Sequence, residues 1–433
     1  MSQIESATQD TPTPSSTAQA LVTKLAQEAK AASHTLAQAS EEKIKQVLDA
    51  IAESLNESQS TIIQANKKDI SAAKEKNLSP ALIDRLMLDE ARIISMANSV
   101  KAVSNLKDPT GQILWETRRP NGLHIQRISC PIGLLGMIYE SRPNVTIDAA
   151  ALCLKSHNSV ILRGGSESLH SALALHAIVQ KCLEDNTMPQ SSVSMISTPD
   201  RAAVGAMLKA DKYIDVIIPR GGQSLIERVM NEARMPVFGH LNGICHTYIH
   251  SSAAPEMATK VTLNAKLRRT GICGATETLL IDKNTPPSLA KAVLETLLDS
   301  GCNIYGDKHA QEIDKRISPA SPADWTTEYL DAKLSCKFVN DINEAIEHIN
   351  TFGSHHTDSI IAQDKDAAAR FLKSVDSGIV MHNTSTQFAD GGEFGMGAEI
   401  GIATGKMHAR GPVGLEQLCT YKYNVHGSGQ TRP

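Results

Sequence analysis

Hydrophobic positions in the N-terminal part of the chain recur at the spacing of an α-helix. Between Ala18 and Val103 apolar residues alternate with charged ones in steps of three and four, and Ala, Glu and Lys are abundant. This periodicity predicts amphipathic helices. Before them, residues 1–17 mix Ser, Thr, Gln and Pro with Glu5 and Asp10, a composition that predicts a disordered tail and no signal peptide.

The pattern becomes extended between Trp115 and Cys130. Residues typical of strands flank the turn Pro120-Asn121-Gly122. Asn-Gly between two extended segments is a strong hairpin signal. The sequence therefore predicts a β-hairpin over 115–130.

Short apolar runs alternate with helical stretches beyond Pro131. We expect strands at 134–139, 159–163, 193–196, 214–218, near 246, at 278–281 and near 337 and 359, and helices at 145–155, 168–183, 201–209, 223–232, from 253 and at 289–298. This succession predicts parallel sheets with right-handed crossovers, in an α/β protein with two lobes. The glycine-rich stretch 389–414 is irregular and predicts loops around a site.

Composition narrows the class of function. The 433 residues carry 43 Lys and Arg against 47 Asp and Glu, a net charge of −4. A nucleic-acid footprint requires a pI above about 9, whereas the pI of this chain is about 6.4. Aromatic residues make up only 3% of the chain, too few for base-stacking platforms. We expect no nucleic-acid partner.

The sequence indicates neither a membrane anchor nor a disulfide framework. The longest apolar run, 132–138, is much shorter than the roughly 20 residues of a membrane-spanning helix. The eight cysteines form no C-x-x-C pair, and a chain of this length does not need disulfides to hold a core. These features predict a cytoplasmic protein with reduced thiols and no membrane association.

Four local motifs fail the spacing tests for cofactor and metal sites. The glycines of 395–401 have one residue too many for a dinucleotide loop, and those of 401–407 have one too few for a phosphate loop. The pairs His355-His356 and Cys245-His246 lack a third ligand at metal spacing. We therefore predict no metal site.

Cys273 is the strongest candidate for chemistry. It lies between two glycines, where backbone can approach a substrate, and it follows Lys266, Arg268 and Arg269. Basic groups and backbone N–H donors favour the thiolate, which is the nucleophilic form. The alternative is a cysteine that only packs as a small apolar residue.

Several runs of residues together resemble one enzyme family. They are 131–145, 161–167, 218–222, 269–274, 356–358, 388–401 and 408–414, of which the last two are the most specific. In this order they are similar to the γ-glutamyl phosphate reductases, also called glutamate-5-semialdehyde dehydrogenases, of the aldehyde dehydrogenase superfamily. The resemblance extends from about residue 20 to Tyr423.

The resemblance implies an aldehyde-dehydrogenase-like fold of two Rossmann-like α/β lobes with a small β oligomerisation element. It divides the chain into an NADP-binding domain at 18–247, which contains the hairpin, a catalytic domain at 248–386 that carries Cys273, and a segment at 387–433 with glycine-rich active-site loops and a C-terminal oligomerisation segment. A homo-oligomer is expected, with the hairpin and the C-terminal segment as contacts.

The implied activity is the NADPH-dependent reduction of L-glutamyl 5-phosphate to L-glutamate 5-semialdehyde and phosphate, a step toward proline. Cys273 would attack the acyl carbon and form a thioester. Because the chain contains no recognisable kinase segment, a separate glutamate 5-kinase is the expected supplier of the acyl phosphate. The alternatives are a non-phosphorylating aldehyde dehydrogenase and a catalytically silent scaffold with the same fold.

The resemblance assigns roles to individual residues. Cys273 is the nucleophile, and Arg142 or Asn144 stabilises the oxyanion; the implied cofactor-binding residues are Arg163, Gly221, Gly222 and Glu328, and the implied substrate-binding residues are Asp390, Gly391 and Glu393. A guanidinium at Arg163 suits a 2′-phosphate and favours NADP over NAD. Gly221 and Gly222 precede a helix, where N–H groups face anions.

Several assignments have alternatives. The ungapped register favours Arg142 as the oxyanion donor, whereas only Asn144 offers the amide typical of the superfamily, and Asn144 also suits a helix N-cap. Glu328 is either a ribose ligand or a solvated surface carboxylate.

Two positions depart from the superfamily pattern. His240 stands in place of the carboxylate base of hydrolytic relatives, and the lack of that base suits an enzyme whose thioester must not be hydrolysed. We favour a structural role for His240. Gln387 stands where many relatives carry an arginine, so substrate-carboxylate binding is either weaker or moved elsewhere.

Overall fold

The computed structural model describes residues 14–432, which form two compact units. The first unit comprises the chain up to Val237 together with the segment from Leu415 onward, and the second comprises Phe238–Gly414. The first unit is therefore discontinuous in sequence. The predicted boundary at residue 247 falls inside the second unit, and the predicted C-terminal segment 387–433 is divided between the two.

The N-terminal region is helical, as its periodicity predicts. Its helices are α1 (Pro14–Leu36), α2 (Glu41–Glu57), α3 (Gln59–Glu75), α4 (Pro80–Leu86) and α5 (Glu90–Ser104). Side chains of Ser40, Ser79 and Asp89 accept backbone N–H bonds and so begin α2, α4 and α5. Residues 1–13 of the predicted tail lie outside the described residues, and α1 begins within the rest of it.

The first unit contains a four-stranded parallel sheet in the order β5-β4-β3-β6. Its strands are β3 (Leu134–Tyr139), β4 (Ser159–Arg163), β5 (Val193–Met195) and β6 (Val216–Arg220), and the accompanying helices are α6 (Val145–Lys155), α7 (Leu169–Asp185), α8 (Ala202–Leu208) and α9 (Gln223–Glu232). The strands are almost wholly buried, which explains their continuous apolar sequence. The strand order reverses at β3, so the loops after β3 and β6 flank a topological switch point.

The predicted hairpin is present and joins the C-terminal segment. Strands β1 (Ile113–Arg118) and β2 (His124–Pro131) pair antiparallel, and β16 (Cys419–His426) pairs with the other edge of β2. The two segments that the sequence suggests for oligomer contacts therefore belong to one three-stranded sheet.

The second unit has a seven-stranded parallel sheet in the order β10-β9-β11-β8-β7-β12-β13. The strands are β7 (Cys245–Ile249), β8 (Thr276–Asp282), β9 (Asn303–Gly306), β10 (Ser318–Pro319), β11 (Lys333–Val339), β12 (Thr357–Ile361) and β13 (Ile379–His382); the helices are α10 (Pro255–Leu267), α11 (Pro287–Asp299), α12 (Lys308–Ile313), α13 (Ile342–Phe352) and α14 (Lys365–Ser374). The prediction of an α/β protein with parallel sheets in two lobes is confirmed.

The glycine-rich stretch is irregular, as predicted. Turns, bends and residues without regular structure occupy most of it, and its only paired segments within the described chain are β14 (Ile402–Ala403) and β15 (Gly411–Pro412). Across residues 14–432, no helix has both the length and the apolar character needed to cross a membrane.

Candidate active site

Three side chains with reactive atoms meet at the amino ends of neighbouring strands in the second unit. His240 precedes β7, Cys273 precedes β8 and His356 directly precedes β12, and these strands are adjacent in the order β8-β7-β12. Their ligand atoms all lie within 4.8 Å of one another. Parallel strands align their amino ends at one edge, so residues far apart in sequence form a single cluster, which we call the thiol–imidazole cluster.

The backbone around Cys273 is tightly held by two neighbours. Cys245 donates its thiol hydrogen to the carbonyl oxygen of Cys273, with an S···O distance of 3.0 Å. A Cβ atom on Gly243 would lie 2.2 Å from that same oxygen and 2.6 Å from the Cα of Cys273. Position 243 must therefore be glycine for the loop to lie where it does.

The two histidines of the cluster contact each other edge to face, with ring centroids 4.7 Å apart. His240 Nδ1 donates to the carbonyl of Ile402 at 2.8 Å, which leaves Nε2 as the nitrogen with the lone pair. His356 is fully buried, and burial, with the neighbouring His240, lowers its pKa well below the usual value. Its ring is therefore neutral at physiological pH.

Glu328 lies beside this loop and is not a freely solvated carboxylate. It is half-buried, and its Oε1 accepts the backbone N–H of Gly243 at 2.9 Å. Burial raises the pKa of Glu328, although the Gly243 hydrogen bond opposes the shift. The structure thus connects this predicted cofactor residue to the glycine that contacts Cys273.

A buried ion pair fixes the segment on both sides of Cys273. Lys266 at the end of α10 and Glu277 in β8 are both fully buried, with Nζ and Oε2 2.6 Å apart. Glu277 also accepts the backbone N–H of Leu330. Burial raises the pKa of Glu277 to about 7, against the opposing effect of Lys266. Lys266 is therefore the partner of Glu277, whereas the sequence had suggested it as a basic neighbour of the thiol.

Gln387 connects the same segment to the glycine-rich stretch. Its Nε2 donates to the carbonyl oxygens of Ala265 and Arg269, and its Oε1 accepts from the guanidinium of Arg268 at 3.2 Å. An arginine therefore does lie at this place, although it comes from position 268.

A cavity of about 640 Å³ opens beside these residues within the second unit. Its lining includes Glu256, Lys260, Asn264, Arg268, Asn383, Thr384, Ser385, Gln387, Phe388 and Glu393. The walls thus present charges of both signs together with amide and hydroxyl groups.

The three predicted substrate residues differ in their surroundings. Glu393 lines the cavity. Asp390 is exposed, and its Oδ1 accepts the backbone N–H groups of Gly392 and Glu393. Gly391 is buried and donates its N–H to Glu399, at 3.0 Å. Asp390 and Gly391 therefore shape the loop, while Glu393 faces open space.

In the first unit, Arg163 is buried, only 8% exposed, at the end of β4. Its guanidinium donates to the carbonyl oxygens of Gly164 and Pro199, at 2.8 and 3.1 Å. Burial lowers its pKa, and the nearby charge of Arg201 acts in the same direction. Arg163 thus holds together the loops that follow β4 and β5.

The predicted pyrophosphate site lies at the switch point. Gly221 and Gly222 follow β6 and precede α9, and the N–H of Gly222 is taken by Glu140 Oε2 at 2.9 Å. A carboxylate thus occupies a helix N-terminus, the position that favours an anion. Glu140 follows β3, on the other side of the switch point.

The two candidate oxyanion donors lie in the loop between β3 and α6, in the first unit. Asn144 is at the N-cap position of α6, but its side chain makes no capping bond. Its Nδ2 donates instead to Asp148, at 2.8 Å. Burial raises the pKa of Asp148 to about 6. Arg142 is half-buried in the same loop.

Sequence reasoning did not identify His356, Cys245, Glu140 or Asp148 as residues of the candidate sites. Their placement depends on strand order and on i,i+4 spacing along α6. A usable signal was present for Asp148, because it is one helical turn after Asn144.

Comparison with known proteins identifies the family to which the chain belongs. The family model described as "Aldehyde dehydrogenase family" matches residues 4–300. A curated γ-glutamyl phosphate reductase from Paramagnetospirillum magneticum is 55% identical over 96% of this chain and 98% of its own length. The same enzyme from Methylorubrum populi is 54% identical over 95% of this chain and 96% of its own length.

Solved structures agree with these matches. The crystal structure of γ-glutamyl phosphate reductase from Thermotoga maritima superposes with a TM-score of 0.93 at 39% identity. The match covers 95% of this chain and 100% of the Thermotoga chain. A glyceraldehyde-3-phosphate dehydrogenase from Methanocaldococcus jannaschii, complexed with NADP, has a TM-score of 0.65 at 13% identity, covering 95% of each chain. The latter shows a shared fold alone, and the expected aldehyde-dehydrogenase-like architecture is confirmed.

Proposed function

The chain belongs to the γ-glutamyl phosphate reductase family of the aldehyde dehydrogenase superfamily, and on that premise we propose that it reduces L-glutamyl 5-phosphate to L-glutamate 5-semialdehyde with NADPH. The observation that carries this proposal is the position of Cys273, half-buried beside His240 and His356 in a loop whose next residue, Gly274, lies against the cavity residue Gln387. The proposed role is a reductase of proline biosynthesis.

Cys273 is the nucleophile of the proposed reaction. Its sulfur attacks the acyl carbon, the carbonyl π electrons move to oxygen, and the tetrahedral species collapses with loss of phosphate. The product is a thioester on the protein. NADPH, when bound, would provide the hydride that reduces the thioester carbon. The carbon–sulfur bond of the resulting hemithioacetal then breaks, and aldehyde and thiolate are released.

The thioester must survive until it is reduced. Hydrolysis requires a base that activates water, and the residue at the superfamily's base position, His240, has its Nδ1 hydrogen committed to the Ile402 carbonyl. The carboxylate that activates water in hydrolytic relatives is thus replaced by an imidazole, whose ring is oriented by the Ile402 carbonyl. We propose that this favours reduction over hydrolysis.

Either Arg142 or Asn144 stabilises the oxyanion in the proposed mechanism. A guanidinium or an amide N–H can donate to the developing negative charge. The hydrogen bond from Asn144 to Asp148 fixes the orientation of the carboxamide, so one of its two N–H donors remains for this role. Parallel Arg142→Ala and Asn144→Ala variants identify the donor as the one with the larger loss of kcat.

The residues of the first unit fit a dinucleotide. The α9 N-terminus at Gly221 and Gly222 would hold the pyrophosphate, after Glu140 releases the Gly222 N–H. Arg163, with Arg201 nearby, would place positive charge by a 2′-phosphate. In the second unit, Glu328 is proposed as the ligand of the nicotinamide ribose.

The cavity of the second unit suits the amino-acid end of the substrate. Glutamyl phosphate carries an α-carboxylate and an α-ammonium group, which require charges of opposite sign. Arg268 and Lys260 supply positive charge, and Glu256 and Glu393 supply negative charge, around this cavity. We propose that Arg268, which donates to Gln387, binds the carboxylate.

Phosphate-dependent reduction of NADP with L-glutamate 5-semialdehyde, the reverse reaction, tests this function. We expect no turnover without phosphate and saturation with it. Turnover that does not depend on phosphate would identify the chain as a non-phosphorylating aldehyde dehydrogenase. If neither direction proceeds, with fresh acyl phosphate and NADPH in the forward assay, the chain is a scaffold. Purification with and without a glutamate 5-kinase tests whether that expected partner associates.

A further inference from the structure

We propose that His240, Cys273 and His356 form a binding site for one divalent transition-metal ion, of which Zn²⁺ is the best match, and that the bound ion blocks the Cys273 sulfur. The three potential ligand atoms lie within 4.8 Å of one another. They are all in the second unit, at the ends of three neighbouring strands. The metal would be an inhibitor and would take no part in the reduction.

The donor set selects the class of metal. Two imidazole nitrogens and one thiolate suit borderline and soft ions such as Zn²⁺ and Co²⁺, whereas Mg²⁺ and Ca²⁺ require oxygen ligands. Tetrahedral zinc places nitrogen and sulfur ligands about 3.5 Å apart, so the cluster would contract by about an ångström when it closes on an ion. Rotation of the half-buried Cys273 side chain can supply that movement.

His240 is already oriented like a metal ligand. Its Nδ1–H donates to the Ile402 carbonyl at 2.8 Å, which fixes the tautomer and leaves the lone pair on Nε2. Histidines that bind metals usually make this bond to a carbonyl or carboxylate with the second ring nitrogen.

His356 provides the independent sign of a ligand. The residue is completely buried, with 0% of its surface exposed, and its Nε2 has no hydrogen-bond partner within the described residues. Its Nδ1 lies 2.9 Å from the Thr357 hydroxyl. Buried polar atoms without partners are rare and costly, and a metal bond to Nε2 would satisfy this one.

Binding exchanges a proton for the metal. The S–H bond of Cys273 breaks, the metal–sulfur bond forms, and the proton passes to solvent, with no change of oxidation state. The sulfur electron pair is then shared with the metal and cannot attack an acyl carbon. The inhibitory part of this inference rests on the proposed function, because it requires Cys273 to be the nucleophile; the binding part does not.

Cobalt titration of the purified, chelator-treated enzyme tests the binding. We expect one Co²⁺ per chain, with a sulfur-to-cobalt charge-transfer band in the near ultraviolet and the visible bands of tetrahedral cobalt. Added Zn²⁺ should abolish both sets of bands by displacement. Binding should also release a proton, measured with a pH indicator, because the metal replaces the thiol hydrogen.

Ligand variants identify the site. Cys273→Ser should lose the charge-transfer band, and His240→Gln and His356→Gln should each weaken Co²⁺ binding by about tenfold or more. Cys130→Ser, which changes the other cysteine that is not buried, and His309→Ala, which removes an exposed histidine, are the matched controls and should bind normally. Because His356 is buried, circular dichroism should accompany each measurement; the half-buried His240 keeps the test decisive if His356→Gln does not fold.

An activity assay separates the metal-binding part of this inference from the inhibitory part. Zn²⁺ should inhibit NADPH oxidation and should slow iodoacetamide labelling of Cys273, and EDTA should reverse both effects. Absence of stoichiometric Co²⁺ binding, or binding that the Cys273 and His240 variants leave unchanged, would overturn the site. Metal binding at Cys273 without loss of activity would leave the site standing and would contradict the proposed nucleophile.

Discussion

At the scale of single residues, Cys273 differs from the other seven cysteines in its environment. Six of those are buried, and burial raises the pKa of all seven: Cys130, Cys153, Cys182, Cys245, Cys302, Cys336 and Cys419. A raised pKa keeps a thiol protonated and unreactive. We therefore expect iodoacetamide to label Cys273 first, with protection by substrate.

The Cys273→Ser variant should keep its fold and its NADPH binding and lose reduction by at least about a thousandfold, since an alkoxide forms far less readily than a thiolate. Mass spectrometry of labelled peptides and steady-state kinetics check both outcomes. Cys130→Ser is the control and should remain active. Equal labelling of several cysteines would contradict a distinct Cys273, and normal turnover by the serine variant would contradict a thioester.

Arg163 supports a prediction about cofactor choice. Arg163→Ala should raise the KM for NADPH more than that for NADH, because only NADPH carries a 2′-phosphate. The structure adds a second role, since the same guanidinium holds the carbonyls of Gly164 and Pro199. Equal losses with both cofactors in initial-rate assays would show that only this second role exists.

At the scale of structural elements, the loops before β7 and β8 depend on each other at one glycine. Gly243→Ala would place a methyl group 2.2 Å from the Cys273 carbonyl oxygen, and that oxygen belongs to backbone. The Cys273 loop must move, and a displacement of an ångström can cost about a hundredfold in rate. We expect a fall in kcat of that order with unchanged secondary structure. Gly271→Ala is the matched control, because its nearest neighbour would be 4.0 Å away; similar losses in both variants would refute the explanation.

The turn between α6 and β4 makes stability depend on pH. His157 is nearly buried, and its two nitrogens contact acceptors only, the Leu36 carbonyl at 3.0 Å and Asp108 at 3.1 Å. Although burial opposes it, these bonds raise the pKa of His157 above its usual 6.5. The pKa of Asp108 is lowered from 3.8 to about 2, against the effect of its own burial, by bonds from His157 and Thr110.

A raised histidine pKa stabilises the fold fully below pH 6.5, and that stabilisation is lost as pH rises through the folded-state pKa. The lowered pKa of Asp108 stabilises the fold above pH 3.8, and this stabilisation is lost as pH falls toward 2. The free energy of unfolding, measured with urea, should therefore fall above pH 6.5 more steeply in the wild type than in His157→Asn, a residue that tolerates the positive φ at this position. Parallel pH profiles would rule out a charged His157.

Elements whose beginning and end are both marked by the local sequence were predictable. Strand β3 and helix α6 begin and end at the predicted residues, because an apolar run followed by Ser-Arg-Pro-Asn defines both. Strand β6 begins two residues later than expected, at Val216. Elements β9, α12, α13, α14 and β13 were not predicted individually. Cys273 was found from its glycines and from family resemblance, whereas His356 was not, since its contact with Cys273 exists only because β8, β7 and β12 are neighbours.

At the scale of the whole molecule, the three-stranded sheet has an apolar exposed face. Trp115, Tyr421, Tyr423 and Val425 are between 47% and 55% exposed. Arg127 in β2 is the cross-strand partner of Trp115 in β1 and of Tyr423 in β16. Trp115 and Tyr423 therefore lie on the same face of the sheet. Exposed apolar surface of this kind marks interaction sites, and we propose it as the contact of the expected homo-oligomer.

Charge on that face should dissociate the oligomer. In Trp115→Glu/Tyr423→Glu, two carboxylates would flank the single guanidinium of Arg127, so the interface would bury unbalanced negative charge. We expect multi-angle light scattering to give a mass near the monomer's 46.6 kDa for this variant and a multiple of it for the wild type. Ile94→Glu changes a residue of α5 that is 44% exposed, and should retain the wild-type mass. A wild-type monomer, or an unaffected double variant, would disprove the contact.

The return of the chain to the first unit imposes an order on its biosynthesis. Strand β16 and the Leu418 carbonyl, which accepts from Asn158, are translated after the entire second unit. A nascent chain on the ribosome therefore carries the hairpin one strand short, with an edge of β2 open, while everything up to Gly414 emerges. An open edge is a template for mispairing with other chains. A product that ends before Leu415 thus differs from the finished protein by an open sheet edge, even though its candidate catalytic residues are all present.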